Sequence, residues 1–378
     1  MSRTYTIISG DTHLEVPTWR WTNRVSDKYR DRAPRVVRLA NGSDALLIEG
    51  IPVRENANDM DGGKPDWRPF GNNYDNTPGA GTPEDRLKCL DIDGMDAEVM
   101  FPGVGHGYMT WRNIRDDNVY KACIRAYNDF IAEEYAAFAP DRFFPIGVIP
   151  QTNINDAIDE LHHCAALGLK GIVLPAFPSG KGYPTTDDDP FWREALSIKM
   201  AVTVHVQMNV GNGPLVQYPK AFSGQDLATR MTKLARAGGT NVVQFIIGGV
   251  FDRFPDLRVF FAENQIGWVP TFMTVMDERY AKHIDWSREL LGYEPLRNGK
   301  PSDYVRHNVL WGFQNDPAGV EMRQWMGVEN LIWATDFPHQ ESDYPDSLKS
   351  CEHNFVRVPD EERARMVCGN ARDFFNLN

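Results

Sequence analysis

The chain has 378 residues, 42% hydrophobic and 24% charged, a balance that excludes a disordered chain and can bury a large core. A net charge of -12 excludes the basic face with which nucleic-acid binders neutralise phosphates. Cys89, Cys123, Cys164, Cys351 and Cys368 are widely spaced and form no CxxC pair, so neither a disulfide framework nor a thiolate zinc site is expected; they read as reduced thiols, mostly in helices.

The opening segment Met1 to Ser9 has too short an apolar stretch for a signal peptide, and no run is long enough to cross a bilayer. The expected setting is cytoplasmic, with no membrane or nucleic-acid partner. Short β-branched runs then alternate with helical patterns, the mark of a parallel sheet built from βα units. The predicted strands are Tyr5 to Ser9, Ala97 to Phe101, Phe144 to Ile149, Gly171 to Leu174, Ala201 to Val206, Arg258 to Ala262, Asn308 to Gly312 and Leu331 to Ala334. Between them, helical periodicity covers Asn118 to Phe138, Asp156 to Leu167, Leu227 to Ala237, Trp268 to His283 and Pro317 to Met326, with helical pieces from Asp360 to Phe375.

Eight such units predict an α/β fold of the (β/α)₈ TIM-barrel type, one domain over residues 1–378, with catalytic groups at the C-terminal strand ends. Residues 19–82 break the rhythm. They are polar, carry Trp19, Trp21 and Trp67, and read as a long insertion after the first strand, forming a lid or an oligomer contact. Loops are expected at Gly180 to Pro190 and Gly211 to Gly224.

Asp11 and His13 stand two apart at the end of the first strand, so an extended chain projects both to one side. Alone, such a pair is more often a loop Asp beside a hydrogen-bonded His. Its weight comes from His205 at the end of the fifth strand and Asp336 at the end of the eighth, which aim at the same mouth of a barrel. Imidazoles combined with carboxylates suit Zn²⁺, Mn²⁺ or Fe²⁺ better than Ca²⁺ or Mg²⁺. A divalent first-row metal is therefore expected, one ion with a second possible if Glu263, after the sixth strand, and His106, in Pro102-Gly-Val-Gly-His106, also reach inward. The rival readings are a loop-anchoring carboxylate for Glu263 and a plain turn for His106. His339, in the turn Asp336-Phe-Pro-His339, is placed to hydrogen-bond a ligand carboxylate or the substrate, while Glu15 has no assignment. His162, His163, His283, His307 and His353 read as surface or structural.

The segments Gly10-Asp-Thr-His-Leu-Glu15, Arg125-Ala-Tyr-Asn-Asp129, Gly249-Val-Phe-Asp-Arg-Phe-Pro255, Ile266-Gly-Trp-Val-Pro270 and Ala334-Thr-Asp-Phe-Pro-His339 resemble the amidohydrolase-related family that includes aminocarboxymuconate-semialdehyde decarboxylase. The likeness runs in order over nearly the whole chain. It implies a metal bound by Asp11, His13, His205 and Asp336. Asp11 departs from the HxH or ExH of that family, and Glu263-Asn264 departs from the His its decarboxylases place after strand six as proton donor.

The leading expectation is a metal-dependent hydrolase or nonoxidative decarboxylase of a small carboxylated, cyclic or aromatic substrate. Asp336 is the proton shuttle, and Glu263 or His339 assists. A di-iron oxygenase on the same barrel is the main alternative, a binding protein without turnover the third; a homodimer or higher homo-oligomer is expected.

Overall fold

The computed structural model describes residues 3–55, 71–103, 108–208 and 238–377. Its strands, in chain order, are β1 (Ile8–Leu14), β2 (Arg35–Arg38), β3 (Asp44–Ile48), β4 (Ile51–Glu55), β5 (Ala97–Pro102), β6 (Phe143–Pro145), β7 (Gly147–Val148), β8 (Gly171–Val173), β9 (Ala201–His205), β10 (Val259–Ala262), β11 (Val309–Phe313) and β12 (Leu331–Trp333). All but β2, β3 and β4 belong to one parallel system, ordered β1-β5-β6 and β7-β8-β9-β10-β11-β12. β6 and β7 are the halves of one strand interrupted at Ile146, whose N–H still bonds to the Met100 carbonyl at 2.9 Å. The two arcs therefore join there into a barrel of eight staves, flanked by helices such as Asp117–Phe130, Ile154–Ala166 and Val269–Leu291.

Runs such as Val-Phe-Phe-Ala in β10 and Val-Leu-Trp-Gly-Phe in β11 are wholly buried, as expected of parallel strands covered on both faces. Helices such as Asp117–Phe130 and Ile154–Ala166 pack through one apolar stripe. In Asp117–Phe130, Val119, Cys123, Tyr127 and Phe130 are buried, and the Asp116 side chain caps the first turn by accepting from the Asn118 N–H.

The barrel closes between β12 and β1. The Asp336 N–H donates to the Asp11 carbonyl at 3.0 Å, and the His13 N–H donates to the Phe337 carbonyl at 2.7 Å. Gly10 permits this approach, because a Cβ there would lie 2.1 Å from Ile332 Cγ2 and 3.3 Å from the Trp333 carbonyl. Replacing Gly10 by Val is accordingly expected to destabilise the protein by about 1–3 kcal/mol through overpacking. Equilibrium urea denaturation checks this, and an unchanged midpoint would contradict it.

Several boundaries differ from the sequence reading. The first strand does not stop at Ser9; it runs to Leu14, paired with β5 as far as Leu14 opposite Pro102, with an irregularity between Ser9 and Thr12. The segment Gly180 to Pro190 is not all loop, since Thr186–Asp188 forms a 3-10 turn and a helix starts at Asp189 with Pro190 in its first turn. The helix expected to end at His283 continues to Leu291, where Gly292 in a left-handed conformation caps it. The helix expected at Leu227 to Ala237 and the loop at Gly211 to Gly224 lie outside the described residues.

Within the insertion, β2, β3 and β4 form an antiparallel sheet. Trp21, Val25, Leu46 and Ile48 from this region join the same buried cluster as the barrel, and Trp21 packs on Trp111 with ring centroids 5.0 Å apart. Trp19 is largely exposed, and Trp67 lies outside the described residues. All five cysteines are free. Among the described residues no helix is long and apolar enough to cross a membrane.

Candidate metal centre

Four strand ends meet at one mouth of the barrel. β1 contributes Asp11 and His13, β9 ends on His205, β10 is followed by Glu263, and β12 leads into Asp336 and His339. All six side chains are buried, His205 and Glu263 being only 3% and 5% exposed. His13 Nε2 lies 3.0 Å from His205 Nε2, 3.0 Å from an Asp336 oxygen and 3.6 Å from an Asp11 oxygen. His205 Nε2 lies 3.2 Å from Glu263 and 3.6 Å from the other Asp11 oxygen.

The chain turns sharply where these groups are presented. Val206, Glu263 and Asp336 all adopt positive φ, at 54°, 53° and 55°, a region that non-glycine residues rarely enter. Each costs of order 1–3 kcal/mol, so the surroundings must impose it. Asn264 is part of that imposition. Its buried amide donates to the carbonyls of Val206 and Ala262 at 3.0 and 2.8 Å, tying the ends of β9 and β10 together. Its oxygen accepts from the Gly238 N–H at 2.8 Å.

Two observations suit a bound cation. His13 Nδ1 sits 3.3 Å from the Pro102 carbonyl, which favours a proton on Nδ1 and leaves the Nε2 lone pair facing the cluster. Both Asp11 oxygens are buried and accept no hydrogen bond among the described residues, at a cost that a bound cation would remove. Among the described residues, ligand atoms fall into two sets within 4.8 Å of one another, Asp11-His13-His205-Glu263 and His13-Glu263-Asp336-His339, which share His13 and Glu263.

The charges are strongly interdependent. Burial raises the Asp11 pKa, with His205 and His13 pulling the other way and Asp336 adding to the rise. Burial alone would lower His205, but the Asp11 and Glu263 carboxylates outweigh it and push the imidazole up to about 10. Burial likewise opposes a charged His339, yet Asp336 and Glu15 push it up to about 10. Asp336 is held well below the usual carboxylate range; burial works against this, and the adjacent His339 and His13 prevail.

His339 is clamped between two carboxylates, with Nδ1 2.9 Å from Asp336 and Nε2 3.4 Å from Glu15, and its ring stacks on His13 with centroids 3.8 Å apart. Glu15 is fully buried and is thus drawn into the site. The structure therefore brings together Asp11, His13, His205, Glu263, Asp336 and His339; His106 lies outside the described residues. Sequence reasoning missed Asn264 and the buried Arg86, and left Glu15 without a role. Asn264 had one available signal, its place directly after a strand that ends on a candidate ligand.

A family model described as amidohydrolase matches residues 11–377, beginning on Asp11 itself. The chain belongs to the amidohydrolase family. Among curated relatives of this amidohydrolase, gamma-resorcylate decarboxylase of Rhizobium sp. (strain MTP-10005) is 24% identical over 307 residues, covering 78% of this chain and 86% of the relative. The 2-amino-3-carboxymuconate-6-semialdehyde decarboxylase of Dictyostelium discoideum is 29% identical over 301 residues, covering 78% and 77%. Among solved structures, an amidohydrolase from Mycobacterium avium subsp. paratuberculosis K-10 superposes with a TM-score of 0.74 at 17% identity, over 99% of this chain and 100% of that one. A 5-carboxyvanillate decarboxylase from Novosphingobium aromaticivorans DSM 12444, complexed with manganese and 4-hydroxy-3-methoxy-5-nitrobenzoic acid, superposes with a TM-score of 0.60 at 18% identity, over 77% and 79%. The two solved structures share the fold of this chain.

Proposed function

We propose that this amidohydrolase is a metal-dependent, nonoxidative decarboxylase of a small aromatic or cyclic carboxylate. The carrying observation is the pair of imidazole Nε2 atoms 3.0 Å apart beside the buried Asp11 carboxylate, which accepts no hydrogen bond among the described residues. Asp11, His13, His205 and Asp336 would hold a divalent first-row ion, with Glu263 within reach as a further ligand. When bound, the ion supplies positive charge that polarises substrate oxygens and offsets the buried carboxylates. The two curated relatives, both named decarboxylases, support this reading, as does the manganese in the 5-carboxyvanillate enzyme.

The chain's own residues supply the proton that decarboxylation needs. As the ring carbon–carboxylate bond breaks, its electron pair remains on the ring carbon and carbon dioxide leaves. The proton starts on His339, whose Nδ1 lies 2.9 Å from the Asp336 carboxylate, and passes through that carboxylate to the ring carbon. Glu15 on the far ring nitrogen holds His339 in the orientation that permits this.

The alternative, a pair of irons and oxygenase chemistry, finds no support in the two curated relatives, and the two ligand sets share His13, whose single Nε2 lone pair can serve only one ion. One experiment separates them. The manganese-loaded protein, offered a panel of hydroxybenzoates including gamma-resorcylate and 5-carboxyvanillate, is expected to release one carbon dioxide per substrate consumed without taking up oxygen. Oxygen uptake, or no carbon dioxide from any member of the panel, would count against the decarboxylase.

A further inference from the structure

Arg86 lies on the second turn of the helix Pro83–Ile92, a position where an arginine ordinarily faces solvent, yet it is completely buried. Its guanidinium forks onto Glu98 of β5, with Nε 2.8 Å and Nη2 2.7 Å from the two carboxylate oxygens. Two further donors go to backbone carbonyls at the mouth of the barrel. Nη1 donates to the carbonyl of His13 at 2.8 Å, and Nη2 reaches the carbonyl of Phe337, next to Asp336, at 3.4 Å. The guanidinium carbon also lies 4.5 Å from the centre of the Phe337 ring.

We infer that Arg86 is a positioning residue for the metal centre, fixing the separation of His13 and Asp336 by holding their two strand ends to β5. The inference rests on the metal-binding reading above. One side chain contacts β5, β1 and the turn that follows β12, and two of its contacts fall on His13 and on Phe337, the neighbour of Asp336. The Phe337 carbonyl it approaches is the one that accepts the His13 N–H, so the guanidinium stands at the junction that closes the barrel. The packing leaves no slack, because a Cβ on Gly79 would sit 2.9 Å from the Phe337 ring and 3.1 Å from Arg86 Cδ. A buried ion pair is often no more stabilising than apolar side chains of similar volume, so stability alone does not account for it. A planar fork of donors does, since a lysine, with three donors on one nitrogen, cannot make the four bonds that Arg86 makes.

The test uses the chelator-stripped full chain titrated with Co²⁺ alone, reading the dissociation constant and the visible absorption band that reports ligand geometry. Arg86→Met by itself strands the Glu98 charge and is a poor probe, so the deciding variant is Arg86→Met with Glu98→Leu. It is expected to unfold thermally near the native midpoint, yet to bind Co²⁺ about 10- to 100-fold more weakly with a shifted band, as loss of a ligand-orienting contact does. Arg86→Lys, which keeps the charge and loses the fork, is expected to fall between, and it decides by the same two readouts if the double variant does not fold. Native affinity and an unchanged band in a folded variant would overturn this inference alone. No Co²⁺ uptake by the native protein would overturn the metal reading and this inference with it.

Discussion

Replacing Asp336 by Asn is expected to lower kcat by about 10²- to 10⁴-fold, the usual contribution of a positioned proton-transfer group. The substitution nearly preserves shape and keeps an oxygen towards His13 and His339, so circular dichroism should be unchanged. What disappears is the charge. Asp336 is held well below the usual carboxylate range by His339 and His13, against the opposing effect of burial, and so is ionised at neutral pH, able to take a proton from His339 and pass it on. An amide in its place can do neither. Steady-state kinetics on the metal-loaded variant checks this, and near-native turnover would remove Asp336 from the mechanism.

Replacing His205 by Ala is expected to weaken metal binding by more than about 100-fold, beyond what the loss of an outer contact costs. The same loss should cut ligand-induced stabilisation, about 2.7 kcal/mol when free metal stands at 100 times Kd, to about 0.4 kcal/mol or less at that metal concentration. Calorimetric titration and thermal unfolding with and without metal read both effects. The pH dependence has a definite sign. His205 and His339 are pushed up to about 10, so in the metal-free chain they carry protons at neutral pH. Metal uptake must displace protons, and affinity falls as the pH falls. For the metal-free fold the linkage runs the other way. The stability these raised imidazoles contribute is complete below the ordinary histidine value of about 6.5 and is lost as the pH rises through about 10.

The barrel was legible because its staves are short apolar runs at the spacing of βα units, and β5, β9 and β12 begin at the residues expected. β1 was harder. Its second half, Gly10-Asp-Thr-His, has the composition of a loop, and only its pairing with β5 and closure against β12 make it a strand. That hidden extension is what sets Asp11 and His13 inside the strand rather than beyond it. The long helix Val269–Leu291 runs past His283, with Tyr280, Ile284 and Leu291 continuing its helical spacing and no breaker before Gly292.

The convergence of Asp11, His13, His205 and Asp336 could be anticipated, since strand ends on one barrel face a common mouth. The clamp on His339 could not. Glu15 lies in sequence beside β1, His339 beside β12, and nothing in either segment tells that the two side chains meet. Arg86 left still less trace, because its helix is only weakly amphipathic and the side chain is buried through a charge partner on β5 and the ring of Phe337, far along the chain. Polar groups buried through partners distant in the chain have no local signature; apolar staves do.

Metal analysis of freshly purified protein tests the central claim most directly. About one divalent first-row ion per native chain, retained through gel filtration and lost from the His205→Ala variant, is the result this account predicts. Native protein that emerges without metal and takes up neither Mn²⁺ nor Zn²⁺ nor Fe²⁺ on addition would contradict it.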